Sequence, residues 1–309
     1  MPQLPVIAVV GPTAAGKSDL AVDLALELGG EVINTDSMQL YRGMDIGTAK
    51  LPVAERRGVP HHLLDVWDVT TTASVAEYQA LVRPLIDGLR AAGTVPILVG
   101  GSGLYVRAAL DDLEFPGTDP RVRARLEEEL ALHGPDPLYR RLRERDPKAA
   151  GTILPGNGRR IVRALEVIEI SGRPFSATMP SYDAVYDSVQ LGVEVPRDVL
   201  DARVEARVER MWRDGLVAEV RELAARGLAE GRTASRALGY AQVLRFLGGE
   251  CTEEEAMQET IRATRRFVRR QESWFRRDPR VIWLPQREPD LLRRALAAIH
   301  RGDGDEGTP

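Results

Sequence analysis

The run Gly11-Pro12-Thr13-Ala14-Ala15-Gly16-Lys17-Ser18 fits the pattern G-x-x-x-x-G-K-[ST], a spacing that binds polyphosphate. Its glycines let the backbone curl until several N–H groups face one point. The helix that follows adds partial positive charge, Lys17 adds a full one, and Ser18 offers an oxygen to Mg²⁺. Three other segments carry groups able to act near such a ligand. Asp36-Ser37-Met38-Gln39 offers a carboxylate that caps a helix, supports a metal or takes a proton. Asp65, ending His61-His62-Leu63-Leu64-Asp65, is either an acidic Mg²⁺ ligand at a strand end or a structural group. Gly100-Gly101-Ser102-Gly103 lacks the G-x-G-x-x-G spacing. Its glycines permit close backbone approach, with Ser102 donating to a phosphate, or they form a plain strand-to-helix turn. The paired histidines have no third ligand at metal spacing.

The elements that must hold these residues alternate. Val6–Val10 reads as a buried strand, Lys17–Leu28 as a helix, Glu31–Asn34 and His62–Asp65 as strands, Val75–Ala92 as a helix and Val95–Val99 as a strand. Such alternation predicts an α/β fold with a parallel sheet, whose ligands bind beyond the carboxyl ends of the strands. The phosphate loop, Asp36, Asp65 and Ser102 all follow strands, so they gather on one edge. Asp119-Pro120 then opens a helical stretch to residue 173, punctuated by Gly134-Pro135, Asp146-Pro147 and Pro155-Gly156-Asn157-Gly158. Strand character returns at Val189–Val195 and Val281–Leu284, around helices near 197–226, 235–247 and 253–277. The tail Gly302–Pro309 is expected to be disordered. The predicted organisation is a core of 1–116 and 187–309 with a helical insertion of 117–186.

With 309 residues, 43% of them hydrophobic, the chain can bury one large core or two. It shows no secretory leader pattern and no apolar run of membrane-spanning length, and a cytoplasmic protein is expected. Cys251 is the one cysteine, which excludes an internal disulfide and a cysteine-cluster zinc site. The net charge of −4 hides a split: residues 1–118 sum to −6, residues 259–280 to +5. A local basic face therefore exists on an acidic chain. Of 42 basic residues only Lys17, Lys50 and Lys148 are lysine. A slim ammonium suits the phosphate cradle at Lys17 and draws attention to Lys50. In the basic stretch, Ile261, Val268 and Phe275 recur every seven residues and face a core. Arg262, Arg266, Arg269 and Arg276 share an opposite face, either merely solvated or touching a nucleic-acid backbone.

Together the segments resemble the bacterial tRNA dimethylallyltransferases over most of the chain. To the loop at 11–18 they add Asp-Ser-Met-Gln-Leu-Tyr at 36–41, Asp-Ile-Gly-Thr-Ala-Lys at 45–50, His-His-Leu-Leu-Asp at 61–65 and Gly-Gly-Ser-Gly-Leu-Tyr at 100–105. Later come Arg-Arg-Ile-Val-Arg-Ala-Leu-Glu-Val at 159–167, Ser-Arg-Ala-Leu-Gly-Tyr at 235–240 and Arg-Arg-Gln-Glu-Ser-Trp-Phe-Arg at 269–276. The resemblance implies a P-loop NTPase-like core with a helical insertion gripping RNA. It implies transfer of a dimethylallyl group from its diphosphate to N6 of the adenosine 3′ to a tRNA anticodon, with Mg²⁺ as cofactor. Gly11 to Ser18 would hold the diphosphate and Ser18 the metal. Asp36 would accept the N6 proton, and Ser102 and Arg236 would reach the departing oxygen. Contacts to the anticodon stem-loop would come from Asp36, Ser37, Met38, Gln39, Ser102, Arg123, Arg159, Arg160, Ile161, Val162, Arg163, Ser235, Arg236, Tyr240, Arg269, Arg270 and Arg276. A monomer without a membrane partner is expected. The family usually has Ser at position 15 and Thr at position 102. Ala15 keeps its backbone N–H and Ser102 its hydroxyl, so binding should survive. A C-terminal zinc finger, present in some members, is excluded by the single cysteine.

Two rivals remain at this stage. A small-molecule or nucleoside kinase explains the phosphate loop and Asp36 but not the basic, aromatic-bearing late helix. A non-enzymatic RNA-binding module leaves Asp36 without a task.

Overall fold

Five apolar residues, Val6–Val10, form β1 with no side chain exposed. Fully burying a residue of this kind contributes about 1.5–3 kcal/mol, so β1 can only be a central strand. It lies between β4 (Val95–Gly100) and β5 (Ser188–Glu194), both parallel to it. β2 (Gly30–Asn34), β3 (His61–His62) and β6 (Val281–Pro285) complete a six-stranded parallel sheet in the order β3-β2-β4-β1-β5-β6. The chain moves from β1 toward β2 on one side and reaches β5 on the other. That reversal opens a crevice at the carboxyl end of β1, where such sheets hold ligands.

The computed structural model describes residues 5–178, 182–286 and 290–302. Of the tail Gly302–Pro309 expected to be disordered, Gly302 ends a helix, and residues from 303 on lie outside the described residues. Two compact units emerge: Met1–Leu110 with Ala184–Pro309, and Asp111–Asp183.

In the sheet-bearing unit, α1 (Lys17–Leu28) follows the phosphate loop and buries Leu20, Ala21 and Leu24 against the sheet. Gly16 precedes it at φ 90, a backbone state that favours glycine. α2 (Val75–Ala91) starts at a Ser74 cap and tolerates Pro84 in its interior; α3 is Gly103–Leu110. The helix expected over 197–226 is two helices, α8 (Arg197–Arg213) and α9 (Leu216–Ala225). The break falls at Asp214-Gly215, where Gly215 takes φ 104. The helix expected from 235 begins only at Tyr240, as α10 (Tyr240–Leu247), because Gly239 sits at φ 86. α11 (Glu253–Phe275) has a Thr252/Glu255 capping box and buries Ile261, Val268 and Phe275, as their spacing predicts. An amphipathic α12 (Leu291–Gly302) was not anticipated.

The helical unit contains α4 (Pro120–His133), α5 (Pro135–Arg145), α6 (Pro147–Thr152) and α7 (Gly158–Ser171). Asp119 caps α4 as expected, accepting from the N–H of Arg121 at 2.8 Å. Its core includes Leu126, Leu138, Leu142, Ile161, Val162 and Leu165.

Candidate active site

A cavity of about 490 Å³ opens at the carboxyl edge of the sheet. The phosphate loop supplies Thr13, Ala14, Gly16, Lys17 and Ser18 to its wall. The loop after β2 supplies Asp36 and Gln39, the segment 45–52 an adjoining wall, and the loop after β4 Gly100 and Gly101. α8 closes it with Arg207, Arg210 and Met211. Gly11, Pro12 and Ala15 of the loop are buried and outside the cavity lining.

Lys17 donates from Nζ to the carbonyl of Pro12 at 2.7 Å. Burial, then the Arg207 guanidinium, pull its pKa down to about 7, and only Asp36 resists. Arg207 is held low for matching reasons, burial first and Arg210 second. Two buried cations lining one cavity suit an anionic ligand. Arg207 Nη1 donates to Thr13 Oγ1 at 3.2 Å.

Asp36 is presented by Asn34. The buried Asn34 carboxamide accepts from the Asp36 N–H at 2.8 Å and donates to the carbonyls of Asp36 and Leu63 at 3.0 and 2.9 Å. Asp36 Oδ1 accepts from the Met38 N–H at 2.9 Å. Burial raises the Asp36 pKa, against the pull of that N–H and of Lys17, which makes it a better proton acceptor than an exposed carboxylate. Ser102 Oγ accepts from the Ser37 N–H at 3.3 Å and lies 3.3 Å from Ser37 Oγ. Gln39 Nε2 donates to the Thr48 carbonyl at 3.1 Å, which ties the Asp36 loop to the 45–50 loop. Met38 is half-buried and packs against the cluster around Tyr41 and Tyr240.

The lysine singled out by its rarity is structural. Lys50 Nζ, almost wholly buried, meets Asp45 Oδ1 at 2.5 Å, Asp65 Oδ1 at 2.6 Å and the Tyr41 carbonyl at 3.1 Å. This decides the open reading of Asp65: its carboxylate holds Lys50. His62 pairs with Glu31 at 2.5 Å, and His61 Nδ1 lies 2.9 Å from the Val59 carbonyl. Among the described residues no cluster of three or more His, Cys, Asp or Glu has metal geometry. The cavity lining offers oxygen donors, the Ser18 hydroxyl and the Asp36 carboxylate among them, without a closed ligand cluster among the described residues. That suits Mg²⁺, which retains waters and draws its remaining ligands from substrate phosphates.

Several expected RNA-contacting residues are placed otherwise. Ile161 and Val162 are core residues of the helical unit, 0% and 3% exposed, so their side chains offer RNA nothing. Arg123 and Arg163 converge on the buried Glu166, at 2.5 and 2.8 Å, and Arg163 also donates to the carbonyls of Pro116 and Gly117; they tie the unit together. Arg159 and Arg160 of the same stretch are exposed. Tyr240 is fully buried, and its hydroxyl donates to Glu219 Oε1 at 2.5 Å. That carboxylate in turn accepts from the N–H groups of Asp45, Ile46 and Gly47. Ser235 Oγ donates to the Gly231 carbonyl at 2.6 Å. Arg236 is exposed and outside the lining of the cavity, so the arginine beside the phosphate loop is Arg207 instead. Arg276 pairs with Glu194 at 2.5 Å and lies over the Trp283 ring at 4.7 Å. Arg269 and Arg270 stay exposed and, with Ser273, Trp274 and Arg277, line a shallow surface depression of about 310 Å³.

Sequence reasoning missed Arg207, Arg210, Asn34, Glu219 and Gln271. Arg207 and Arg210 stand three residues apart on α8 and hence on one face, a signal drowned by the arginine-rich composition.

The family described as IPP transferase matches residues 39–278. The chain belongs to the IPP transferase family. It is 69% identical over 299 residues to a protein of Thermobifida fusca named tRNA dimethylallyltransferase, covering 95% of this chain and 94% of that one. A Streptomyces coelicolor protein of the same name is also 69% identical over 299 residues, covering 96% of each chain. Among solved structures, the full-length tRNA isopentenylpyrophosphate transferase of Bacillus halodurans superposes with a TM-score of 0.72 at 39% identity, covering 97% of this chain and 98% of that one. A eukaryotic dimethylallyltransferase acting on tRNA superposes with a TM-score of 0.83 at 26% identity, covering 95% and 78%. These are P-loop NTPase-like α/β folds, the class that the family resemblance implies, with the parallel sheet that the strand and helix alternation predicts.

Proposed function

We propose that this chain is a tRNA dimethylallyltransferase. It moves the dimethylallyl group of dimethylallyl diphosphate to N6 of the adenosine adjacent to the anticodon on its 3′ side, position 37, and releases diphosphate. The carrying observation is the shared cavity of Lys17 and Arg207, which suit a diphosphate, and Asp36, a carboxylate whose proton affinity burial has raised. The names of the relatives support the same reading.

In the reaction the allylic C1–O bond breaks and its electron pair leaves with the diphosphate. N6 forms the new bond to C1, and the N6 proton passes to Asp36. The phosphate-loop amides, Lys17 and Arg207 face the oxygen on which charge grows, the arrangement that lowers such barriers most. Mg²⁺, held by Ser18, would neutralise part of the diphosphate charge. The apolar side chains of Ile46, Leu51 and Met211 in the same cavity provide a surface for the prenyl carbons. An adenine stacked in a loop must turn out to reach such a cavity, which single-stranded RNA permits. Arg269 and Arg270, and Arg159 and Arg160 in the helical unit, meet the anticodon stem-loop. We assign the enzyme to the cytoplasm, where tRNA is processed, and to a monomer. Among the described residues no helix is long and apolar enough to cross a membrane.

Purified protein incubated with unmodified tRNA and labelled dimethylallyl diphosphate should place label in the RNA. Label transferred instead from ATP to a small molecule would establish a kinase.

Two quantitative results are expected. Free Lys17, with its pKa near 7, is mostly neutral at pH 8 and regains its proton beside an anion. Binding of dimethylallyl diphosphate at pH 8 should therefore take up protons, and its affinity should fall as pH rises above about 7. Calorimetry in buffers of different ionisation enthalpy measures this; proton release contradicts it. Replacing Arg269 and Arg270 together by Ala should lower the slope of log K for tRNA against log salt by about 1–2. Arg276→Ala, already paired with Glu194, should leave it nearly unchanged. Equal slopes for both variants and the parent would place these arginines off the RNA path.

A further inference from the structure

Gln271 lies on α11, inside the arginine-rich stretch whose motif suggested RNA contact, yet it is 5% exposed and faces inward. Its Oε1 accepts from the Thr13 N–H at 2.9 Å, and its Nε2 donates to the Gly101 carbonyl at 3.0 Å. One carboxamide thus bridges the loop after β1 to the loop after β4. The approach is so close that a Cβ at position 101 would stand 2.1 Å from Gln271 Nε2. One helical turn on, Trp274 covers Gly103, where a Cβ would stand 2.0 Å from the indole nitrogen. The glycines at 101 and 103 therefore make room for α11, a task distinct from direct approach to phosphate.

The bridge continues into the cavity. The residue whose N–H Gln271 holds is Thr13, and Thr13 Oγ1 accepts from Arg207 Nη1 at 3.2 Å. Gly101, Gln271, Thr13 and Arg207 form one hydrogen-bonded chain, and only its last member is a cation facing the ligand. We infer that Gln271 is a positioning residue that sets Arg207 against the diphosphate through Thr13, so that α11 serves the phosphate cradle as well as the RNA. This rests on the diphosphate-binding part of the proposed function.

The test combines two variants with two readouts. Gln271→Met keeps the length and apolar stem and loses both hydrogen bonds; Thr13→Val removes only the hydroxyl that receives Arg207. Each single variant should weaken binding of inorganic pyrophosphate and raise the KM for dimethylallyl diphosphate by roughly tenfold, with tRNA affinity unchanged. Because both act through one chain, the double variant should be little worse than the worse single. Additive losses, or a Gln271→Met protein with parental pyrophosphate affinity, would overturn the inference. If Gln271→Met does not fold, Thr13→Val alone decides: parental pyrophosphate affinity removes the route from Thr13 to Arg207. Pyrophosphate binding is read without prenyl transfer, so a failure of the proposed reaction shows separately, as absent label in tRNA with an intact pyrophosphate site.

Discussion

Asp36→Ala should slow prenyl transfer by about 10²–10⁴-fold, the range a positioned proton acceptor contributes, and leave tRNA affinity nearly intact. The adenine amine is a poor nucleophile until its proton has somewhere to go, and Asp36 is a cavity carboxylate beside Lys17 and Arg207 whose pKa burial raises. Asp45 and Asp65, by contrast, are engaged by Lys50. Burial raises the Asp36 pKa, so the base form is lost as pH falls through a value above that of an ordinary aspartate. The acid limb of the kcat/KM profile should therefore lie higher than a solvent-exposed carboxylate would place it. Asp36→Asn keeps the acceptor for the Met38 N–H and loses the base, which separates turn geometry from chemistry. Parental turnover in either variant removes Asp36 from the proton-accepting role.

Arg207→Ala should lower kcat/KM for dimethylallyl diphosphate by about 10²–10³-fold, the cost of deleting one group aimed at developing charge. The guanidinium sits beside the phosphate loop against the repulsion of Lys17 and Arg210, offset in part by Asp19 and Asp36, and an entering diphosphate would relieve that repulsion further. Removing it also lets the Lys17 pKa rise in the free protein, since Arg207 is the second cause of its depression. Proton uptake on diphosphate binding at pH 8 should accordingly shrink in the variant. Steady-state kinetics over both substrates checks the first effect and calorimetry the second. An Arg236→Ala protein gives the contrast: Arg236 lies outside the cavity lining, and the KM for dimethylallyl diphosphate should stay at the parental value. If the two variants trade these phenotypes, the assignment of Arg207 fails.

The parts of this molecule legible in the sequence are those whose signal is local. The phosphate loop, β1, β2, β4 and the inward face of α11 each follow from periodicity or from a spacing within eight residues, and the structure has them where expected. Element ends were less legible, because Gly215 and Gly239 stop helices by taking positive φ inside otherwise helical patterns. Least legible were roles that depend on a partner distant in sequence. Tyr240, an RNA contact by the family resemblance, is held inside by Glu219, which also binds the 45–47 backbone. Arg123 and Arg163 look free until Glu166 is seen buried between them. In a chain with 39 arginines, composition does not distinguish Arg207, which faces the ligand, from Arg276, which braces Glu194 and Trp283.

The bond from Thr13 to Gln271 spans 258 residues of chain, and this bears on the order of synthesis. The phosphate loop leaves the ribosome 258 residues before the side chain that seats it. Contacts of such separation are costly to close and slow to form, so the cradle remains incomplete while the chain between the two residues is made. A nascent chain that stops before α11 carries the whole Gly-Lys-Ser motif and five of the six strands. It lacks the carboxamide that braces the loop, so its anion site should stay weak until α11 has arrived.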